Sequence, residues 1–347
     1  MEVTTVGIDL AKNVFRLHGC DARGRAVLRK QLGRRQLLAF IARLPRCVVA
    51  MEACASAHYW AREIEKLGHR VRLINPRFVR PYVKANKNDA SDAEAISEAA
   101  GRPAMRFVAV KTAAQQDVQA VHRVRQQLVK NHTALMNQVR ALLAEQGIVI
   151  AQGRAHVHRS LPRILADDDN RLSGMMRELL NEIGERLRYI EERLRQYELR
   201  IRGLFREDER CRRLAEVEGV GPVTATALVA AVGNAAEFKS GRELAAYLGL
   251  VPRHRASGGR TTMLGISKRG DRYLRTLLVH GARAALRVNQ RQHTTRSAWI
   301  ERLKSRRGSN IAAVALAHKN ARVLWALLRT GECYRPTPFP ARVPHVG

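Results

Sequence analysis

Acidic residues are scarce in this chain, 31 Asp and Glu against 62 Lys and Arg, and four of them occupy positions that solvation does not explain. Asp9 interrupts the apolar run VGIDLAK, and Glu52 closes the apolar run VVAME. A charge in or at the end of a buried strand costs several kcal/mol unless something compensates it. Asp89 and Asp92, in KNDASDAEAI, stand three residues apart at the start of a helical pattern, so both carboxylates share one face. Magnesium ions need shared anionic oxygens of this kind, and two such ions clamp the attacking and leaving oxygens of an in-line phosphoryl displacement. Taken singly, Asp9 could be a turn residue, and Asp89 or Asp92 a helix cap. The four together, in this order, are harder to dismiss.

A second constellation lies at residues 257–275, SGGRTTMLGISKRGDRYLR. Ser257 precedes two glycines, and Arg260, Lys268, Arg269, Arg272 and Arg275 follow. Gly258 and Gly259 would let backbone approach a phosphate closely, and the cations would neutralise its oxygens as charge develops. A serine hydroxyl needs activation before it attacks, which a neighbouring carboxylate or magnesium ion supplies. Ser-Gly-Gly is also an ordinary flexible turn, and the stretch alone does not decide. In VEGVGPVTATALVAAVG (217–233), Gly219 and Gly221 precede a helix begun at Pro222. The pattern suits a helix-hairpin-helix turn offering backbone N–H groups to a nucleic-acid phosphate, although any tight turn between helices favours glycine. None of the 12 histidines falls in a metal or triad spacing.

The formal net charge is +31, spread over nearly the whole chain. Such a surplus destabilises the compact state unless a polyanion screens it, and nucleic acid is the polyanion that fits. Aromatic residues are only 5%, so backbone contact suits the composition better than base stacking. No apolar run is seen to approach the ~18 residues of a spanning helix, which sets a membrane partner aside. The N-terminus MEVTTVGIDL reads as a strand rather than a leader, and the five scattered cysteines indicate neither a disulfide framework nor a zinc site. A reducing, cytoplasmic setting is expected.

These residues need a scaffold. Strand signals at 3–10, 13–19, 24–31, 47–52 and 69–75 alternate with helix signals at 35–44, 57–67 and 91–100, the last with Ser91 as N-cap. This is an α/β layout around a mixed sheet. A long helix is expected over 112–146, then a break at GRAHVHRSLPR, then a helix over 172–204. In that helix Leu172, Met176, Leu179, Ile183, Leu187, Ile190, Leu194, Tyr197, Ile201 and Leu204 recur at heptad spacing with one stutter. The stripe fits an amphipathic helix on its own core, or, better at this length, a coiled-coil arm joining protomers into a dimer or tetramer. Beyond Leu214 the chain reads as short helices and glycine-rich turns, helical to about Arg329. The expected domains are 1–150, 160–208, 209–335 and a loosely ordered tail, 336–347.

The order strand Asp, strand Glu, then Asp-x-x-Asp on a helix resembles the RuvC branch of the RNase H-like nucleases. That resemblance implies metal-ligand roles for Asp9, Glu52, Asp89 and Asp92 and two bound magnesium ions. GIDLAK, MEA, KNDASDAEAI, VEGVGPVTA and the region YLGLVPRHRASGGRTTMLGISKRGDRYLR, in that order, are similar to the insertion sequence 110 family of transposases, particularly its 1111 branch. The resemblance spans nearly the whole chain. It implies a recombinase with an RNase H-like N-terminal domain, a helical arm and a mainly α C-terminal domain. It further implies that Ser257 is a covalent nucleophile, that donor and target DNA are the substrates, that a structured bridge RNA is a partner, and that protomers combine their domains. Against this stand a RuvC-type junction endonuclease in which Ser257 is structural, and a non-catalytic nucleic-acid scaffold.

Overall fold

The computed structural model describes residues 2–83, 89–257, 260–288 and 295–335; the expected tail, 336–347, lies outside them. The chain divides into two compact units, Met1–Gln116 and Asp117–Gly347.

The first unit is built on strands β1 (Thr5–Leu10), β2 (Val14–Cys20), β3 (Ala26–Gly33), β4 (Val48–Glu52), β5 (Arg70–Ile74) and β6 (Phe107–Val108). Helices α1 (Leu37–Ile41), α2 (Ala57–Lys66), α3 (Pro76–Val79) and α4 (Asp89–Ala100) alternate with them. The sheet order is β3-β2-β1-β4-β5-β6, with β1, β4 and β5 parallel and the other neighbours antiparallel. Strands buried on both faces read as continuous apolar runs, and β1 and β4 do so for this reason. On one face Val6, Ile8, Val49 and Met51 pack with Leu37, Ile41, Trp60 and Ile64 of α1 and α2. On the other, Ala50 and Ile74 pack with Ala95, Ile96 and Ala99 of α4. Helix α4 begins at Asp89, so Ser91 lies inside its first turn and is not its N-cap.

The second unit is mainly helical: α5 (Ala113–Glu145, which enters from the first unit's last residues), α6 (Arg154–Ala166), α7 (Gly174–Glu207), α8 (Glu209–Ala215), α9 (Pro222–Val232), α10 (Gly241–Tyr247), α11 (Arg272–Val288), α12 (Thr295–Arg307) and α13 (Ser309–Thr330). Helix α6 stands where the sequence reads as a break. It continues across Pro162 because Val157 and Leu161 are buried on the long helices. The heptad stripe of α7 is occupied within the chain. Leu172 just before the helix, and Met176, Ile183 and Leu187 in it, pack with Met136, Val139 and Leu143 of α5 and Val157 and Leu161 of α6, whereas Leu179 of the expected stripe is exposed and its neighbour Leu180 is buried instead. The N-terminal half of the expected interprotomer seam is thus filled by the chain's own helices.

Helix α9 is apolar all round and buried accordingly. Helix α13 corrects the expectation that no segment has the length of a membrane span. Its length and composition suffice for one, yet Ala312, Ala313, Leu316, Ala317, Leu324 and Leu328 are packed into the core of this unit.

A buried polar knot ties α5 to that core. His122 Nε2 lies 3.0 Å from Thr226 Oγ1, and Nδ1 lies 3.0 Å from Tyr273 Oη. The Thr226 hydroxyl already donates to the Pro222 carbonyl at 2.7 Å. It therefore accepts from His122 Nε2–H, and the Tyr273 hydroxyl donates to Nδ1. Burial first, and the Arg125 charge second, push the His122 pKa down to about 4.

A β-hairpin interrupts the helical unit, contrary to the expectation of helix throughout. Strands β7 (Pro252–Ser257) and β8 (Arg260–Ile266) pair antiparallel. Only Gly258 and Gly259 separate them, and a glycine pair between alternating sequences is a hairpin signal.

Candidate active site

Three of the four acidic residues are brought together by strand register and helix docking. Ile8 of β1 pairs with Met51 of β4 in the parallel ladder, so Asp9 and Glu52 are the next residues on neighbouring strands. Side chains alternate across a sheet. Asp9 therefore shares the face of Gly7, and Glu52 the face of Ala50, the side covered by α4. A Cβ on Gly7 would lie 2.3 Å from the Ala93 carbonyl oxygen and 2.6 Å from the Ser97 nitrogen, so glycine is what lets the helix dock. Ser97 Oγ, which donates to the Glu94 carbonyl, is 2.9 Å from His18 Nδ1. His18 pairs with Gly7 in β2, and Cys20, also close to Ser97, pairs with Thr5. Helix α4 consequently runs antiparallel to β1, and its N-terminal end, with Asp89 and Asp92, lies toward Asp9.

Electrostatics agree with this geometry. Burial raises the Glu52 carboxyl above its ordinary value, and the charges of Asp9 and then Asp92 raise it further. The Cys54 thiol is raised by burial first and then by Glu52 and Asp9. Such a set of oxygens, half-buried and mutually repelling, fits a divalent cation that replaces the repulsion by shared ligation. Asp89 is the first residue of α4, one turn before Asp92. Arg16 stands opposite Asp9 in the β1–β2 ladder, and neither it nor Cys54 carried any signal in the sequence.

The second constellation belongs to the other unit. Ser257 ends β7, its Cα paired with Arg260 at the start of β8; Gly258 and Gly259 lie outside the described residues. The hairpin base is fixed by hydrogen bonds from Ser267 N to the Val251 carbonyl at 2.8 Å and from Lys268 N to the Gly249 carbonyl at 3.1 Å. Arg275 donates to the Leu248 carbonyl at 3.0 Å and so braces that base. Lys268, Arg269 and Arg272 are exposed, while Arg275 is half-buried. Asp271 caps α11 by accepting from Leu274 N at 2.9 Å.

In the turn between α8 and α9, Gly219 has φ +83°, and a Cβ there would lie 2.5 Å from the Gly281 carbonyl oxygen of α11. Its glycine is explained by close packing. Gly221 is different: exposed, at the N-terminus of α9, with open space around it.

Histidines do form a metal-type cluster, contrary to the sequence reading. His132 of α5, His158 of α6 and Glu191 of α7 bring their donor atoms within 4.8 Å of one another. Three separate helices supply them, so no spacing along the chain could have revealed it.

Comparison with known proteins places similarity along nearly the whole chain. Residues 6–147 match the DEDD transposase model of the IS110 type, and residues 211–297 match the IS116/IS110/IS902 transposase family. A probable family 20 transposase of Pseudomonas aeruginosa is 52% identical over 97% of this chain and 100% of its own length. The transposase for insertion sequence element IS1111A of Coxiella burnetii is 44% identical over 96% of this chain and 92% of its own. That for IS1328 of Yersinia enterocolitica is 41% identical over 96% and 98%. With two family models matched along its length and relatives up to 52% identical over nearly the whole chain, the chain belongs to the IS110/IS116/IS902 family of DNA transposases.

Proposed function

We propose that this transposase cuts and rejoins DNA strands through a phosphoserine at Ser257, assisted by magnesium held on an RNase H-like domain. The observation that carries the reading is the β1–β4 register, which sets Asp9 beside Glu52 on the sheet face that α4 covers. Asp9, Glu52, Asp89 and Asp92 would hold two magnesium ions, which when bound supply charge neutralisation and activation of an oxygen nucleophile. Ser257 Oγ attacks the phosphorus, a bond from serine oxygen to phosphorus forms, and the bond to one sugar oxygen breaks. That oxygen leaves with a proton, and attack by a second strand's hydroxyl reverses the exchange, so rejoining needs no ATP. Lys268, Arg269 and Arg272, with Arg260 and the glycines Gly258 and Gly259, would contact phosphates. Gly221 offers the N-terminal N–H groups of α9 to the same backbone.

The net charge of +31 and the low aromatic content favour a protein that holds nucleic acid by its backbone and leaves base reading to a structured bridge RNA. A homo-oligomer in the bacterial cytoplasm completes the reading, with the exposed apolar residues Leu179, Tyr189 and Leu199 of α7 available for association.

The test combines full-length protein, magnesium, the element's RNA and labelled circular-junction DNA, resolved by denaturing electrophoresis. We expect a covalent protein–DNA adduct that Ser257→Ala abolishes. Cleavage without an adduct, unchanged by Ser257→Ala, would establish a RuvC-type junction endonuclease instead. Activity surviving Asp9→Asn, Glu52→Gln, Asp89→Asn and Asp92→Asn would leave only the scaffold reading.

A further inference from the structure

We infer that His132, His158 and Glu191 form a second metal site, separate in chemistry from the carboxylate set, which takes a zinc-class divalent transition metal and cross-links α5, α6 and α7. Both imidazoles present Nε2 to the same carboxylate oxygen, Glu191 Oε1, at 2.7 Å from His132 and 2.5 Å from His158. Arg154 Nε approaches that oxygen at 3.2 Å and His158 Nε2 at 3.4 Å. Four groups thus converge on one point, and two imidazoles with one carboxylate are a ligand set that suits zinc, cobalt or nickel rather than magnesium.

The three donor atoms lie within 4.8 Å of one another, and ligands ~2.0–2.1 Å from a tetrahedral ion stand about 3.3 Å apart. Binding therefore draws the two imidazoles together by up to about 1.5 Å and moves Glu191 Oε1 back by under about 1 Å, with the ion replacing two N–H protons.

The surroundings hold the ligands in place and leave a way in. The side chains of His132 and Glu191 are each 11% exposed, whereas His158 is 37% exposed. Apolar neighbours fix the helix faces: Met136 one turn from His132, Leu187 one turn from Glu191, and Val157 beside His158 are all buried in one cluster. Arg154 is the resident cation. Its side chain is 60% exposed and can swing into solvent when a metal arrives.

The experiment is a cobalt titration of chelator-stripped full-length protein in excess magnesium, read by visible d–d absorption and checked by zinc displacement. We expect saturable binding at one equivalent. His158→Ala and Glu191→Gln should each weaken it about tenfold or more, and Asp9→Asn should leave it unchanged. Arg154→Ala should tighten binding several-fold, because it removes a competing positive charge. A purely structural Glu–His–Arg cluster predicts no such gain. His158 is partly exposed, so its replacement leaves the fold intact, which far-ultraviolet circular dichroism verifies. The inference is overturned if the wild-type protein binds no cobalt, if His158→Ala and Glu191→Gln both bind it with undiminished affinity, or if Asp9→Asn abolishes it.

Discussion

Gly7 of β1 lies so close to Ala93 of α4 that a Cβ on the glycine would sit 2.3 Å from the Ala93 carbonyl oxygen. Gly7 shares a sheet face with Asp9, and Ala93 follows Asp92, so this one contact sets the separation of two carboxylates. Gly7→Ala should push α4 off the sheet, with a loss of about 1–3 kcal/mol in unfolding free energy and weaker magnesium binding. Chemical denaturation and a magnesium titration of strand cleavage check both effects. Unchanged stability and magnesium dependence would contradict the docking argument.

Removing Asp9 should separate catalysis from stability. Asp9→Asn should lower strand cleavage by ~100-fold or more, yet relieve Glu52 of a repelling charge. Glu52 is raised in the folded chain, so without metal its contribution to stability is fully present below its ordinary pKa and is lost as pH rises through the folded value. The melting temperature of metal-free wild type should therefore fall relative to Asp9→Asn as pH climbs through and above the carboxylate range. Added magnesium should restore the wild type only. Parallel melting curves for the two proteins at every pH would refute the coupling.

His122 predicts the opposite pH dependence in the second unit. Its folded pKa of about 4 lies below its ordinary 6.5, so the unfolded chain binds more protons between those values. The stabilising contribution is complete above pH 6.5 and is lost as pH falls to about 4, on the order of 3 kcal/mol in all. Urea unfolding across this range, compared with His122→Gln, isolates the effect. Tyr273→Phe leaves Nδ1 without its donor and should cost about 1–3 kcal/mol at neutral pH.

The two arginines of α11 should behave differently. Arg272 is exposed, so Arg272→Ala should reduce the salt-dependence slope of DNA binding by about 1 without changing the melting temperature. Arg275→Ala should lower the melting temperature, because it releases the Leu248 carbonyl at the base of the hairpin. Salt titrations and thermal melts of both variants decide the matter; identical profiles would mean that bracing and phosphate contact are not divided this way.

Much of the first unit was legible because two-sided burial writes continuous apolar runs into β1 and β4, where Asp9 and Glu52 then stand out. The second unit was less so. In α6, Pro162 and two histidines mask a helix that exists because Val157 and Leu161 find a partner surface. The α7 stripe has the spacing of an interprotomer seam, and spacing cannot say whose helix fills it. Lys319 and Arg322 interrupt α13, which hides its span-length apolar content in the sequence. The hairpin strands are short and cationic and carry no clear apolar alternation, so the sequence shows a turn at Ser-Gly-Gly but not the strands beside it. The His132–His158–Glu191 cluster depends wholly on how three helices pack.

The register that places Ile8 beside Met51 also governs how copies of this element decay. A point change at Asp9 removes one carboxylate and leaves the strand where it was. A single in-frame insertion within Thr5–Leu10 does more, because every side chain beyond it changes face. It turns a carboxylate toward Phe15, Trp60 and Ile64 and an apolar chain toward the side that α4 covers. In β1, lengthening by one residue is therefore a heavier lesion than substitution.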